Sequence, residues 1–181
     1  SQQLNQTTAL DITVPEYWHK GLVRNVDSSE DFWSLAIAIT EATTGDSLQV
    51  WKGSYSVMID IEKSLTITGN STAEVTLVGI DDYVIDIDVD SVTLRNLTLL
   101  NGSGLFLDKL SSDIILERLL VSGSDSHGLY VFQNSNLVLR NVTVRDSDYS
   151  GLVLYKATDT TVTDSTFTDN DHNGVLVSSA D

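Results

Sequence analysis

Apolar and polar residues alternate through the second half of the chain, in a short pattern that recurs at a nearly fixed spacing. Glycine-led runs begin at Gly104, Gly128, Gly151 and Gly174. Leucine, isoleucine or valine stands at every second position of each run, so one face of each run is apolar. This alternation predicts strands, and a repeat of roughly 20 to 50 residues is typical of a solenoid.

Each repeat holds a second pair of apolar runs, so one turn of the solenoid is expected to contain three short strands. These runs span 92–99, 114–121, 137–144 and 160–167. Asn96 and Asn141 interrupt the alternation within two of them. Because asparagine tolerates a left-handed backbone better than other non-glycine residues, both are predicted to be corner residues.

The first half of the chain is predicted to supply the first turns and a cap. Residues 48–87 alternate less regularly, and about five to six turns are expected in all. A capping helix is predicted over residues 30–43, with Ser28 or Ser29 as its N-cap and Gly45 ending it. Such a helix would cover the open sheet edge of the first turn.

Two segments are therefore expected, an N-terminal arm or lead-in at residues 1–27 and a β-helix domain at residues 28–181. The arm either packs on its own domain as a strand-like lead-in, which is favoured, or docks on a neighbour. At the other end, Val175-Leu176-Val177 begins a turn that stops shortly afterwards at Asp181. An uncapped end is expected there, and it implies either a fragment of a longer solenoid or an end that stacks on another subunit.

The repeats and the opening of the chain resemble the right-handed, single-stranded parallel β-helices of the pectate-lyase-like superfamily, in particular its surface proteins. The motifs that carry the resemblance are Asp31–Ile39, Thr44–Val50, Gly53-Ser54-Tyr55 and Lys63–Gly69, in addition to the repeats themselves. The resemblance covers roughly residues 26–177 and implies an all-β solenoid with a capping helix. It indicates the fold and not the activity, because many functions use this scaffold.

The charge of the chain is strongly acidic. It has 26 Asp and Glu residues against 10 Lys and Arg residues, for a formal charge of −16 and a pI of about 4.2. Such a surface repels nucleic-acid phosphates and anionic lipid, so neither is an expected partner.

The chain has no cysteine, which excludes thiol catalysis, disulfides and cysteine-bound metals. No segment has the apolar length that membrane insertion requires.

An apolar stripe is predicted on the outward face of the glycine-led strands. It comprises Val84, Phe106, Tyr130, Val153 and Leu176, with Phe132 and Tyr155 just beyond. In related polysaccharide-active enzymes this face forms the substrate groove, and aromatic side chains there stack on sugar rings. The alternative is that a partner protein covers the stripe. A continuous apolar stripe is a contact surface in either case, and a partner is favoured over a glycan.

An acidic ladder precedes the same strands. Asp125, Asp148 and Asp171 recur at the repeat spacing, and Asp146 and Asp169 form a parallel column. Carboxylates in adjacent turns would lie about 4.8 Å apart and repel each other, and bound Ca²⁺ would reverse that repulsion. The ordinary alternative, which is favoured, is a solvated turn, since Asp and Ser are good turn formers. No cofactor is required. His127 and His172 are predicted to be surface histidines.

Five N-x-[ST] sequons point to an extracellular glycoprotein. They begin at Asn5, Asn70, Asn96, Asn101 and Asn141. Asn96 and Asn141 are either glycan acceptors or corner residues with buried side chains, so Asn5, Asn70 and Asn101 are the better expected acceptors.

Catalysis has the least support in the sequence. Lyases of the resembled superfamily use an Arg or Lys base beside calcium carboxylates, and its hydrolases use closely placed Asp residues. Here only Asp86 and Asp108 fall near the outward face, and neither has a basic partner at the repeat spacing.

The sequence therefore predicts a non-catalytic structural glycoprotein of a cell-surface layer, sheath or filament. It would assemble with copies of itself or with other surface proteins through the stripe and the open end. The alternatives are the N-terminal part of a polysaccharide lyase or glycoside hydrolase, and a carbohydrate-binding module.

Overall fold

The chain forms a parallel β-solenoid. The computed structural model describes residues 22–80, 82–107 and 111–179. In chain order the elements are β1 (Val23–Asn25), β2 (Asp31–Phe32), α1 (Leu35–Glu41), β3 (Ser47–Val50), β4 (Gly53–Val57), β5 (Ile59–Ile61), β6 (Thr66–Gly69), β7 (Val75–Gly79), β8 (Ile85–Ile87), β9 (Thr93–Leu100), β10 (Leu105–Leu107), β11 (Ser112–Ser122), β12 (Leu129–Phe132), β13 (Ser135–Arg145), β14 (Leu152–Tyr155), β15 (Thr161–Thr163), β16 (Thr166–Thr168) and β17 (Val175–Ser178).

Two sheets wrap around one core. The smaller sheet has six parallel strands in the order β17-β14-β12-β10-β8-β5, one from each turn. The larger sheet has eleven strands. Eight of them follow one another in the order β15-β13-β11-β9-β6-β3-β1-β2, and the other three, β4, β7 and β16, pair with strands of the same sheet outside this order. All its pairings are parallel except β1 with β2 and β1 with β3. The predicted all-β parallel solenoid is confirmed.

The core is a set of columns in which each inward side chain lies on its counterpart one turn away. Leu105 pairs in register with Leu129, and Leu129 with Leu152, and all three are fully buried. Burying each such side chain contributes about 1.5–3 kcal/mol. In the last turn Val175 and Val177 occupy the same inward positions but are exposed, because no described strand lies beyond β15–β17. Among the described residues, no helix or further strand covers the last turn.

Left-handed residues form the corners of the coil. One column, which bends the larger sheet, consists of Asn96, Arg118, Asn141 and Asp164, with φ between 51° and 56°. A second consists of Ser91, Asp113, Asn136 and Asp159, and a third of Asn101, Gly123, Asp146 and Asp169. The corner prediction for Asn96 and Asn141 is confirmed. The expectation of buried side chains is wrong for Asn141, which is exposed, whereas Asn96 is half-buried.

The capping helix is shorter than predicted and begins later. Helix α1 starts after Ser34, whose hydroxyl accepts a hydrogen bond from the Ile37 N–H at 3.4 Å, so neither Ser28 nor Ser29 is the N-cap. Residues 31–32 are instead strand β2, which pairs with β1. The helix ends at Glu41, with Ala42 as its C-cap, before Gly45. The Lys63 ammonium closes that end by donating hydrogen bonds to the carbonyls of Thr40 and Ala42.

The described part of the predicted lead-in belongs to the solenoid. Strand β1 extends the larger sheet beside β3, and Val23 is buried in the core. Most of the predicted arm, including Asn5, lies outside the described residues. Within the described ranges, no helix is both long and apolar enough to cross a bilayer.

Candidate functional site

The apolar stripe lies on the outward face of the smaller sheet. Strand pairing places Phe106 beside Tyr130, Tyr130 beside Val153, and Val153 beside Leu176. Phe132 and Tyr155 form a second, adjacent register pair. Val84 is not part of the stripe: it is fully buried in the core, and Asp86 is the register partner of Phe106. The sequence prediction included Val84 wrongly because the turn from Ile85 to its register partner Leu105 contains fewer residues than the turns that follow it.

Aromatic rings in the stripe stack along the solenoid axis. The Phe106 and Tyr130 rings have centroids 4.7 Å apart and planes within 8° of each other. The Phe132 and Tyr155 rings are 5.2 Å apart with planes within 7°, and the Lys156 Nζ lies 5.5 Å from the Tyr155 centroid. Val153 is only 4% exposed although it points outward, whereas Leu176 is exposed. The stripe therefore presents its aromatic rings and Leu176 at the surface, whereas Val153 between them adds little exposed area.

Histidines extend the stripe into the turns before the strands. His127 lies 5.6 Å from the Tyr130 ring and 5.5 Å from the Tyr149 ring, and Tyr149 meets His172 edge-on at 5.0 Å. The His127 Nδ1 accepts a hydrogen bond from the Ser150 N–H at 3.1 Å. Burial lowers the pKa of His127, which favours the neutral ring. The prediction of two surface histidines is wrong for His127, which is half-buried and links two turns.

A groove of about 290 Å³, the stripe groove, opens beside Phe106 and Tyr130. Its lining residues are Asp82, Tyr83, Asp86, Ser103, Phe106, Ser126, His127 and Tyr130. The Tyr83 hydroxyl donates a hydrogen bond to Asp60, the register partner of Asp86. That hydrogen bond, with smaller contributions from burial and nearby carboxylates, raises the pKa of Tyr83 to about 12. The groove combines stacking surface with hydrogen-bonding groups.

Sequence reasoning missed Asp60 and Tyr83 as members of this site. Asp60 is the single outward residue of the short strand β5, and Tyr83 precedes β8 in an irregular turn. The alternation in Ile59-Asp60-Ile61 indicates that Asp60 points outward, so its position on the outward face beside Asp86 could have been predicted from the sequence. The position of Asp108 lies outside the described residues.

The acidic ladder is present as stacked turns. The Asp148 N–H donates to the Ser124 carbonyl at 2.8 Å, and the Asp171 N–H donates to the Ser147 carbonyl at 2.9 Å. The carboxylates of Asp125, Asp148 and Asp171 are exposed. Asp146 and Asp169 are left-handed corner residues, with φ of 56° and 54°. Among the described residues, no three acidic or histidine side chains come together as a metal-binding group, and calcium stays a prediction.

The described sequons lie along the larger sheet and its corners. Asn70, Asn101 and Asn141 are exposed, and Asn96 is half-buried. A second groove of about 330 Å³, the corner groove, lies among them. Its lining residues are Ser71, Thr72, Asn96, Arg118, Leu119, Leu120, Asn141 and Thr143.

Comparison with known proteins identifies the family. Residues 36–181 match the right-handed β-helix region family, and the chain belongs to it. The chain is also similar to a protein named "Cell surface glycoprotein" from Methanothermus fervidus, with 26% identity over 113 residues. The match covers 59% of this chain and 19% of that relative, so the chain spans about a fifth of the relative's length. The fold and this similarity fit a surface protein.

Proposed function

We propose that this chain is a β-helix domain of a cell-surface glycoprotein and that it makes non-catalytic contacts with copies of itself or with other surface proteins. The observation that carries the proposal is the apolar stripe, which pairs Phe106 with Tyr130 and Phe132 with Tyr155 along the solenoid axis. Similarity to a protein named as a cell-surface glycoprotein supports the location.

The geometry of the stripe favours side-by-side packing of solenoids. Register pairing aligns the outward residues of successive turns parallel to the axis, so a second rod can contact several turns at once. Desolvation of each large apolar side chain contributes about 1.5–3 kcal/mol at full burial. The formal charge of −16 opposes association of two copies. Because salt screens this repulsion, self-association is expected to strengthen with ionic strength.

The stripe groove supports a second candidate, a carbohydrate-binding module. Phe106 and Tyr130 offer apolar surface for a sugar ring, and Asp86 and Ser126 supply hydrogen-bonding groups beside them. Asp82 and Asp86 would repel a polyuronate, so this candidate takes a neutral glycan.

A catalytic role, as part of a polysaccharide lyase or hydrolase, needs an acid and a base placed across one bond. Asp60 and Asp86 are neighbouring carboxylates on β5 and β8. If the protein cleaves a polysaccharide and Asp86→Asn abolishes that cleavage, an enzymatic function would replace the proposed contact function.

A binding experiment on envelopes from the producing cells separates these functions. Tyr130→Ala is expected to reduce retention of the protein at least tenfold, because it removes a ring from the centre of the stripe. Val138→Ala is the matched control, since Val138 is an outward, half-buried aliphatic residue on the larger sheet. Equal retention of Tyr130→Ala and wild type would contradict the proposal. Release by a soluble neutral oligosaccharide would favour the carbohydrate-binding candidate.

A further inference from the structure

Asn96 and Asn141 are structurally equivalent sequons. They stand in the same corner column with φ of 56° and 52°, and each lies inside a long strand of the larger sheet, β9 or β13. Their sequon hydroxyls also share a column, because Thr98 and Thr143 both pair with Leu120 of the intervening strand. The two sites therefore share a corner position and a strand register, and they differ in what covers them.

A loop covers the sequon at Asn96. The preceding turn breaks the larger sheet between β6 and β7, and residues 70–74 bridge the gap. The Asn96 Nδ2 donates to the Gly69 carbonyl at 3.2 Å, and its Oδ1 accepts from the Arg118 Nε at 2.6 Å. Thr98 is 7% exposed, and its hydroxyl donates to the Thr72 carbonyl at 2.8 Å. Both the acceptor amide and the sequon hydroxyl are engaged inside the fold.

The sequon at Asn141 is open. The turn before it has no inserted loop, because β11 runs without a break from Ser112 to Ser122 through the corner at Arg118. The Asn141 side chain is exposed, and Thr143 is half-buried along the wall of the corner groove. A sugar attached to Asn141 would meet the groove surface formed by Arg118, Leu120 and Thr143.

We infer that Asn141 carries an N-linked glycan in the folded protein and that Asn96 does not. This inference rests on the proposed function, since it assigns the modification of a surface glycoprotein. In the transfer step the Asn141 Nδ2 attacks the anomeric carbon of a phosphate-activated glycosyl donor. The N–C bond forms, the anomeric C–O bond to the phosphate breaks, the phosphate leaves with the bonding pair, and a base of the transferase takes one Nδ2 proton.

The assignment has a consequence for the contact surface. Asn141 lies on a corner of the larger sheet, whereas the apolar stripe lies on the smaller sheet. A glycan at Asn141 therefore leaves the stripe uncovered. The corner groove gives the first sugar residue a site on the protein, with the Arg118 guanidinium and the Thr143 hydroxyl as hydrogen-bond donors.

Glycopeptide mass spectrometry of the protein from its producing cells tests the inference directly. Trypsin cleaves after Arg140 and Arg145, so Asn141 is alone in its peptide; Asn96 and Asn101 share the peptide 96–109 and are separated by fragmentation. The expected result is a glycan on Asn141 in most molecules and none on Asn96. A glycan on Asn96, or a bare Asn141 beside an occupied Asn70 or Asn101, would overturn the inference.

Substitution of the sequon threonines tests the inference without changing either corner asparagine. Thr143→Ala is expected to lower the intact mass by one glycan, and Thr98→Ala is expected to change it only by the substitution. An unchanged glycan mass in Thr143→Ala would refute the assignment. If every sequon is bare, the inference and the glycoprotein part of the proposed function both fail. If Asn141 is occupied but the stripe binds nothing, only the proposed contacts fail.

Discussion

The rings of Phe106 and Tyr130 stack face to face in successive turns, with centroids 4.7 Å apart. This separation is close to the spacing of neighbouring strands, about 4.8 Å, so the backbone register itself sets the stacking. The pair contributes about 0.5–1.5 kcal/mol beyond the burial of its area. A rigid backbone thus presents a preformed aromatic surface, which lowers the entropy cost of making contacts there.

The hydrogen bond from Tyr83 to Asp60 predicts an unusually late phenol titration. Because this hydrogen bond raises the pKa of Tyr83 to about 12, Asp60→Asn is expected to bring that pKa back toward 10.0. The unfolded state loses this proton first, so the contribution to stability is complete below pH 10 and is lost as the pH rises through about 12. Ultraviolet absorbance of the phenolate, compared between wild type and Tyr83→Phe, measures the titration. Identical titrations in wild type and Asp60→Asn would contradict the assignment.

The half-buried His127 predicts a loss of stability in mild acid. Its pKa lies below the ordinary value of 6.5, so the unfolded state binds a proton first and the free energy of unfolding decreases as the pH falls through 6.5. His127→Asn keeps an acceptor for the Ser150 N–H but does not titrate. Urea unfolding between about pH 7.5 and pH 5.5 should show a flatter pH dependence for this variant than for wild type. A pH dependence in His127→Asn as steep as that of wild type would contradict this assignment.

The Lys63 ammonium is predicted to stabilise the capping helix. It donates hydrogen bonds to the carbonyls of Thr40 and Ala42 at the end of α1, where the helix dipole also favours a cation. Lys63→Met should lower the free energy of unfolding by about 1–3 kcal/mol. The same substitution at the exposed Lys52 is the control, with an expected change within about 0.5 kcal/mol. Equal effects of the two variants in denaturant titrations would exclude this role.

Gly128 is predicted to be required for close stacking of turns. A Cβ at this position would lie 2.2 Å from the Val144 Cγ1 and 2.9 Å from the Gly151 carbonyl oxygen. Gly128→Ala should therefore destabilise the protein by about 1–3 kcal/mol through overpacking. At Gly174 the nearest atom is the Phe167 carbonyl oxygen at 3.0 Å, so Gly174→Ala should cost less. A larger loss at Gly174 in thermal unfolding would contradict this reasoning.

The repeat made the fold predictable because the period-two alternation and the turn length are local properties of the sequence. Asn96 and Asn141 were recognisable as corners for the same reason. Val84 was wrongly assigned to the stripe because the turn from Ile85 to Leu105 contains fewer residues than the later turns. A turn can lose residues without any change in the apolar and polar alternation of its strands, so the sequence pattern does not reveal the shortening.

Contacts between distant segments were not predictable in this way. The start of α1 depends on the pairing of Asp31 and Phe32 with Val23 and Arg24, which the helical pattern does not reveal. His127 packs against Tyr149 from the next turn, and the loop that covers Asn96 is an insertion one turn earlier. Such contacts follow from three-dimensional stacking and not from spacing alone.

Sedimentation velocity of the purified protein over a range of protein and salt concentrations tests the central claim most directly. Self-association that strengthens with salt, weakens in Tyr130→Ala and persists in Val138→Ala is the predicted result. A monodisperse monomer at high protein and salt concentration would contradict self-assembly through the apolar stripe.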